Sequence, residues 1–342
     1  MKIGVFQVNH LGDFIATLPL LKGLRSLDGV DEITLVTSAV GSALVKPLGL
    51  VDHCIAMDVS EYKQLYKNPL KLILMSRRLR NLGWDITCSV DDETTVSGLL
   101  AFFSGAPFRL GYDRIQNKGK GFYTERIHFD PNLHVVHNRY QCVPQIAKLL
   151  GVEWNGVKAR RVPLQLSASD LKFVKSICKS DEPYLVIHPF AKYDYKEWPL
   201  HRYRELVEGL LRKTNCKILV LGDREADPWG MRNPKFQWVT GTTLTQLIAL
   251  IDGATLFVGN NSGPMNIALN QDTPTIALNG PSAPWWFDPW QDGKSFMVQT
   301  DLPCQPCDLY ETRRGHCSNP IYKECMIRIS TDSVLKQILS FL

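Results

Sequence analysis

The fold class predicted by this sequence is α/β, in the form of two doubly wound, Rossmann-like domains facing each other across a cleft. Three observations predict it. Short apolar runs of strand length alternate with stretches whose apolar residues recur at helical spacing, a pattern that implies a parallel sheet wrapped by helices. This alternation runs through the first half and begins afresh after "VKARRVPLQLSASD". A chain of 342 residues also exceeds the roughly 100 to 200 residues of an ordinary domain. The expected division is 1–165 and 166–342, with a cysteine-rich insertion at 301–326.

In the first half the strand-like runs are "KIGVFQV", "EITLVTS", "HCIAMDV" and "DITCSVD". Helical patterns lie between them, clearest from Tyr62 to Leu82 and from Thr95 to Phe103. After Ile3 to Val8 the apolar positions Phe14, Leu18, Leu21 and Leu24 recur at helical spacing, so Gly12-Asp13 falls in a tight strand-to-helix turn. A carboxylate there reads either as a helix cap accepting the first free N–H groups or as a chemical group at the ligand edge of the sheet. From Arg109 to Asp130 the pattern loosens into what reads as a loop at that edge, and "HNRYQCVPQIAKLLG" is helical again. The second half repeats the scheme with "PYLVIHP", a helix over Leu200 to Leu211, "CKILVLGD", the helical "LTQLIALIDGA", "TLFVG" and "TPTIALNG". Ligands of open parallel sheets bind beyond the carboxyl ends of the strands, so the site is expected in the inter-domain cleft.

Composition narrows the function. No apolar run reaches membrane-spanning length, and the N-terminus enters a strand without a charged leader or an apolar signal core, so a cytosolic protein is expected. The formal net charge of +5 is mild and its basic residues are dispersed, apart from "SRRLR" at 76–80 and "KARR" at 158–161. That is no nucleic-acid footprint. Such clusters read as solvated helix faces, with a weak attraction to anionic membrane surfaces or a phosphorylated substrate left open.

The densest chemical signal is "FVGNNSGPMNIALNQDTPTIALNGP", a strand followed by Gly259 to Gly263 and a helix that starts at Pro264. Free N–H groups at such a helix start attract phosphate; the alternative is a plain glycine-rich turn with Ser262 as N-cap. No Walker pattern and no complete GxGxxG follows a predicted strand, which disfavours ordinary NTPase and dinucleotide readings. Lys196, ahead of Trp198-Pro199, can reach a diphosphate as a point charge, and Glu225 can accept hydrogen bonds from a ribose; a surface lysine and a first-turn glutamate are the plainer readings.

Among nine cysteines, Cys304, Cys307, Cys317 and Cys325 begin with a C-x-x-C knuckle and fit a structural tetrahedral zinc or iron site, with His316 as a rival ligand. They equally fit a reduced cluster packed as small hydrophobes. Cys54, Cys88, Cys142, Cys178 and Cys216 sit in apolar patterns expected in the core. The three tryptophans of "NGPSAPWWFDPW" can stack on adenine or sugar faces or be buried.

Together, "HLGDFIATLPLLKGLR", "RLGY" at 109–112, "HNRY" at 137–140, "KEWP" at 196–199, "LGDREAD" and "GNNSGPMNIAL" resemble the ADP-heptose heptosyltransferases of lipopolysaccharide core assembly, glycosyltransferase family 9. The resemblance runs in order over nearly the whole chain. It implies a GT-B fold, with a glycan or glycolipid acceptor held by the N-terminal domain at His10, Arg109 and His137. The nucleotide-sugar donor, ADP-heptose, would be held by the C-terminal domain at Glu225, Asn260, Asn261, Ser262, Gly263 and Asn266. It further implies an inverting, cytoplasmic enzyme without a catalytic cofactor or metal, in peripheral contact with the inner-membrane surface. In that reading Asp13 is the general base and Lys196 a catalytic cation stabilising the leaving diphosphate. Asn261 stands where the family commonly has an acid, and Asn266 where it commonly has histidine; asparagine hydrogen-bonds but carries no charge. Those two departures motivate the alternatives of another nucleotide-sugar, a protein acceptor, or a non-catalytic nucleotide-sugar or glycan-binding paralogue.

Overall fold

The computed structural model describes residues 1–91, 95–113, 118–179, 182–223, 226–309 and 315–342. The chain divides into two units, Met1–Gln165 and Leu166–Leu342. The first holds a six-stranded parallel sheet of β1 (Lys2–Gln7), β2 (Glu32–Ser38), β3 (His53–Met57), β4 (Ile86–Ser89), β5 (Phe108–Asp113) and β6 (Glu125–His128), in the spatial order β3-β2-β1-β4-β5-β6. Helices cover both faces of such a sheet, so its central strand is apolar on both sides; Ile3, Val5 and Phe6 of β1 are fully buried. Val5 pairs with Leu35 on one side and Cys88 on the other. Gly4 interrupts this apolar run because a Cβ there would lie 2.5 Å from the Trp84 ring, which packs edge-on against Phe6 at 5.7 Å.

The second unit repeats the plan with β7 (Tyr184–His188), β8 (Lys217–Leu221), β9 (Phe236–Val239), β10 (Leu256–Asn260), β11 (Thr275–Asn279) and β12 (Ser295–Gln299), ordered β12-β11-β10-β7-β8-β9 and parallel throughout. Trp198, Tyr203, Leu206, Ile218, Val258 and Ile276 lie in its core, which the C-terminal helix Thr331–Phe341 completes with Leu335 and Ile338. Each sheet reverses its winding direction once, between β1 and β4 and between β7 and β10. These switch points leave crevices beyond the strand ends, where ligands of this fold class bind.

Two helices expected to be continuous are broken, for one reason. The pattern Phe14 to Leu24 becomes Leu11–Ile15 followed by Leu18–Arg25, with Pro19 in the second helix's first turn. The stretch Tyr62 to Leu82 becomes Val59–Gln64, a tight turn at Leu65–Lys67 and Pro69–Arg80, with Pro69 in the first turn behind the capping side chain of Asn68. Proline lacks the N–H that would continue the ladder, so each helix restarts at it. The segment from Arg109 to Asp130, expected as a loop, instead carries β5, a 3₁₀ turn at Lys118–Phe122 and β6.

Candidate active site

At the switch point of the first sheet, the exits of β1 and β4 are tied by one buried carboxylate. Asp91 accepts from the Val8 N–H at 2.8 Å and from the Tyr62 hydroxyl at 2.7 Å. Burial, then the Asp91 charge, pushes the Tyr62 phenol far above its ordinary range, so it remains a donor.

Beyond β1 the chain enters the helix Leu11–Ile15, whose N-cap is His10, without any side-chain capping bond. Asp13 is therefore the third helical residue rather than the cap. Its side chain is 28% exposed, and one carboxylate oxygen lies 3.3 Å from Nη2 of Arg139, which is fully buried. The other terminal nitrogen of Arg139 donates to the Asp13 backbone carbonyl and, at 3.2 Å, to the Thr17 hydroxyl, which itself donates to that carbonyl at 2.9 Å. A guanidinium presents its donors in a rigid fork, so backbone and carboxylate of Asp13 are held together from behind. Thr17, fully buried, is a member of this support.

Arg139 sits on the short helix Val135–Tyr140. Asn138 fastens that helix by donating to the carbonyls of Asp130 at 2.8 Å and Leu133 at 3.2 Å. His137 is half-buried two residues before Arg139, while His10 is exposed. The motif "HNRY" points to His137, whereas the member that meets Asp13 is Arg139. The available signal was an arginine beside the apolar pair Val135-Val136 at a helix start, a charge that must find a partner if it is buried.

Arg109 does not join this group. It is the second residue of β5, at the amino end of the strand, where its guanidinium donates to the carbonyls of Phe122 at 2.8 Å and Ala106 at 2.7 Å. There the charge anchors the 3₁₀ turn, at the end of the sheet away from the strand exits.

In the second unit, β10 leads through Asn261 and Ser262 into the helix Gly263–Asn270, with Pro264 in its first turn. Ser262 occupies the N-cap position in extended conformation, yet its hydroxyl makes no cap bond; that oxygen is buried and has no hydrogen-bond partner. A buried polar group left unpaired costs about 1–3 kcal/mol. The Asn266 amide donates to the Ser262 carbonyl at 3.1 Å, and Asn261 donates to the Asn279 side chain at 3.2 Å.

Asn279 in turn donates to the Ser282 carbonyl at 2.8 Å. Lys196, in the 3₁₀ turn Asp194–Lys196 after β7, reaches the Ser282 hydroxyl at 3.4 Å and pairs with the Asp308 carboxylate. One polar network thus brings Asn261 and Lys196 together. Asp308, which sequence reading missed, comes from the cysteine-rich segment and holds the ammonium in a half-buried position.

Asn260, which the resemblance places in the donor-binding set, is turned into the interior of the second unit. It is fully buried, and its oxygen accepts from the Trp198 N–H at 3.0 Å and the Tyr203 hydroxyl at 2.9 Å, while its nitrogen donates to the Pro189 carbonyl at 2.7 Å. Both polar atoms of this amide are engaged within the unit, which makes it a brace between β10, the exit of β7 and the next helix. Glu225 lies outside the described residues. Beside the brace, at the end of β7, burial pushes the His188 imidazole down to about 4, so it is neutral near pH 7.

The thiols of Cys304, Cys307, Cys317 and Cys325 lie near enough to perturb one another. Among the described residues, no group of three or more His, Cys, Asp or Glu side chains is arranged to hold an ion. Cys304 is exposed and accepts from Asn319, Cys317 accepts from the Lys323 N–H at 3.3 Å, and Cys325 is buried beneath Gly280. Burial, followed by the Cys307 and Cys317 thiols, pushes Cys325 up to about 12, so it packs as a protonated thiol. Cys54, half-buried, is the least enclosed of the five expected core cysteines; the other four are buried. Of the tryptophans, Trp285 is 39% exposed, and Trp286 and Trp290 are half-buried.

Two parallel six-stranded sheets in Rossmann order, the second presenting an unclaimed hydroxyl and a helix start beside a lysine, define the GT-B class of glycosyltransferase folds. The model of glycosyltransferase family 9 (heptosyltransferase) matches residues 73–317. The chain is 34% identical to lipooligosaccharide heptosyltransferase 2 of Campylobacter jejuni, over 100% of this chain and 98% of that protein. Its fold is similar to that of the E. coli ADP-heptose lipopolysaccharide heptosyltransferase II, with a TM-score of 0.73, 20% identity and coverage of 100% and 98% of the two chains. It is also similar to the iron-containing dodecameric glycosyltransferase TibC of enterotoxigenic E. coli, with a TM-score of 0.61, 17% identity and coverage of 99% of this chain and 76% of that one. The chain belongs to glycosyltransferase family 9 and is a sugar-transferring enzyme.

Proposed function

We propose that this enzyme moves a heptosyl residue from ADP-heptose to a hydroxyl of a lipooligosaccharide or lipopolysaccharide core, or a related glycan, in the cytoplasm. In this reading the anomeric carbon is inverted and no catalytic metal takes part. The full-length relationship to a lipooligosaccharide heptosyltransferase supports the sugar and the acceptor class, and the E. coli enzyme of like fold supports the donor.

The proposed transfer is one displacement. The acceptor oxygen bonds to the anomeric carbon while its proton passes to the Asp13 carboxylate; the bond from that carbon to the diphosphate breaks, and its electron pair leaves with ADP. Asp13 suits the role because Arg139 fixes its position while leaving the carboxylate partly exposed. Arg139 is a positioning residue here. The leaving diphosphate would take up the Ser262 hydroxyl and the first amides of the helix Gly263–Asn270, groups preorganised to meet developing negative charge. Lys196 adds a positive charge steadied by Asp308, and the amides of Asn261 and Asn266 serve as neutral partners for ribose or phosphate oxygens.

The observation that carries the proposal is the Asp13 carboxylate at the β1 exit with Arg139 locked behind it. Asp13→Asn keeps the shape and removes the base, so donor affinity should stay near wild type while turnover falls roughly 10² to 10⁴-fold. Equal turnover in mutant and wild type eliminates Asp13 as base. Nucleotide-sugar binding with no turnover in the wild type would instead favour the non-catalytic paralogue suggested by Asn261 and Asn266.

A further inference from the structure

The Lys196 ammonium, which the diphosphate needs, is already engaged. It pairs with the Asp308 carboxylate and donates to the Ser282 hydroxyl at 3.4 Å, and that hydroxyl lies 3.5 Å from the same carboxylate. Among the described residues no other cation pairs with Asp308. The two side chains are 19% and 10% exposed, so salt and water screen them less than a surface pair.

Neither partner is placed to swing away. The turn Asp194–Lys196 is gripped by the far limb of the cysteine-rich segment: the Tyr322 hydroxyl donates to the Asp194 carboxylate at 2.7 Å, and the Lys323 ammonium to the Asp194 carbonyl at 3.2 Å. On the near limb, the N–H groups of Cys307 and Asp308 both donate to the Pro281 carbonyl, at 3.0 and 2.9 Å. Asp308 also pairs with Ser282 as a single parallel bridge. Main-chain bonds thus fix an anion beside a cation that the leaving group also requires. An ammonium has three donors, so Lys196 can touch Asp308 and a phosphate oxygen together, but one positive charge cannot offset both. Like charges forced close together in a half-buried site repel. That repulsion grows during the proposed transfer, because the electron pair of the broken anomeric bond leaves one more negative charge on the diphosphate than the donor carried.

We infer that Asp308 is a competing counter-ion for Lys196. It occupies the ammonium between turnovers and, once the diphosphate has gained the charge of the broken bond, contests that ammonium and speeds the departure of ADP. The inference rests on the proposed reading of Lys196 as the diphosphate cation and adds product release, which that reading leaves unassigned. Asp308 acts through Lys196 and is a positioning residue.

The test is calorimetric titration of the full chain with ADP, backed by the rate at which bound ADP dissociates. Asp308→Asn keeps the shape and removes the charge, so ADP should bind about tenfold more tightly, chiefly through slower dissociation. Asp308→Ser, smaller and equally neutral, should shift the affinity the same way. Damage to the fold weakens binding, so a gain is a result that a merely structural role does not give. Lys196→Gln should weaken ADP about tenfold or more, as expected for a lost hydrogen bond between charged groups. Equal or weaker ADP binding in whichever neutral Asp308 variant melts with the wild type overturns the inference. If Lys196→Gln nevertheless weakens ADP, the diphosphate role of Lys196 stands and the counter-ion alone is lost; if Lys196→Gln binds ADP as the wild type does, both fall.

Discussion

At the scale of single residues, Ser262 separates a functional from a structural account of the same position. A serine at an N-cap ordinarily contributes about 1 kcal/mol through its side-chain bond to the helix, but this hydroxyl makes no such bond and is buried without a partner. Ser262→Ala should therefore leave the unfolding midpoint unchanged or slightly raised, because a desolvated polar atom is removed at no cost in hydrogen bonds. If the oxygen meets the diphosphate, the same change should weaken donor binding roughly 10- to 150-fold, in keeping with the about 1.5–3 kcal/mol net worth of one hydrogen bond to a charged group. Denaturant titration and calorimetric titration with ADP measure the two effects separately. A stability loss near 1 kcal/mol with unaltered ADP affinity would return Ser262 to the role of a cap. Asp13 shows the same contrast in reverse: its position in a helical first turn suggested capping, and only Arg139 behind it reveals what the carboxylate touches.

At the scale of elements, the brace formed by Asn260 explains how the strand exits of the second unit are held in register. One fully buried amide joins the end of β10 to the Pro189 carbonyl after β7 and to Trp198 and Tyr203 at the following helix. Asn260→Ala would strand two donors and one acceptor away from water. The expected loss is about 3 kcal/mol, read as a lower denaturation midpoint, with a more protease-sensitive segment around Lys196 to Trp198. A loss below about 0.5 kcal/mol, the range of a surface substitution, would deny the brace.

Such braces are what sequence reading found hardest. The strands β1, β2, β4, β7, β8, β10 and β11 were legible because buried parallel strands are continuous apolar runs, and the edge strand β3 was legible in "HCIAMDV". By contrast, β9 and β12 lie at the sheet edges, and β12 is half-exposed, so their sequences carry less of that signal. That the glycine-rich turn, Lys196 and Asp13 follow strands was legible in the sequence. Which member of "GNNS" turns inward was not, because Asn260 and Asn261 are identical in type and differ only in the side of the strand on which they emerge.

At the scale of the whole molecule, stability should depend on pH through a histidine rather than through the carboxylates until the solution is strongly acid. Burial lowers the His188 imidazole from its ordinary 6.5 to about 4. A histidine depressed in the folded state binds its proton preferentially on unfolding, so its stabilising share is complete above pH 6.5 and is lost as the pH falls from there to about 4. Asp52, Asp58 and Asp170 are also held below their ordinary range, against burial, by hydrogen bonds or ion pairs. Depressed carboxylates stabilise above the unfolded value near 4 and lose that contribution only as the pH drops further. Between pH 6.5 and 4, then, His188 is the group whose resolved shift acts, and it acts on the second unit. The expected loss across that window is on the order of 2 kcal/mol. It should appear as an earlier unfolding of the second unit in urea at about pH 4.5 than at about pH 7, while the first unit changes little. His188→Leu removes the titrating group while keeping an apolar side chain beside Phe190, so its second-unit midpoint should be flat over the same range. A wild type as stable at the lower pH as at the higher, or a His188→Leu chain that keeps the full slope, would show that the proton is taken up elsewhere.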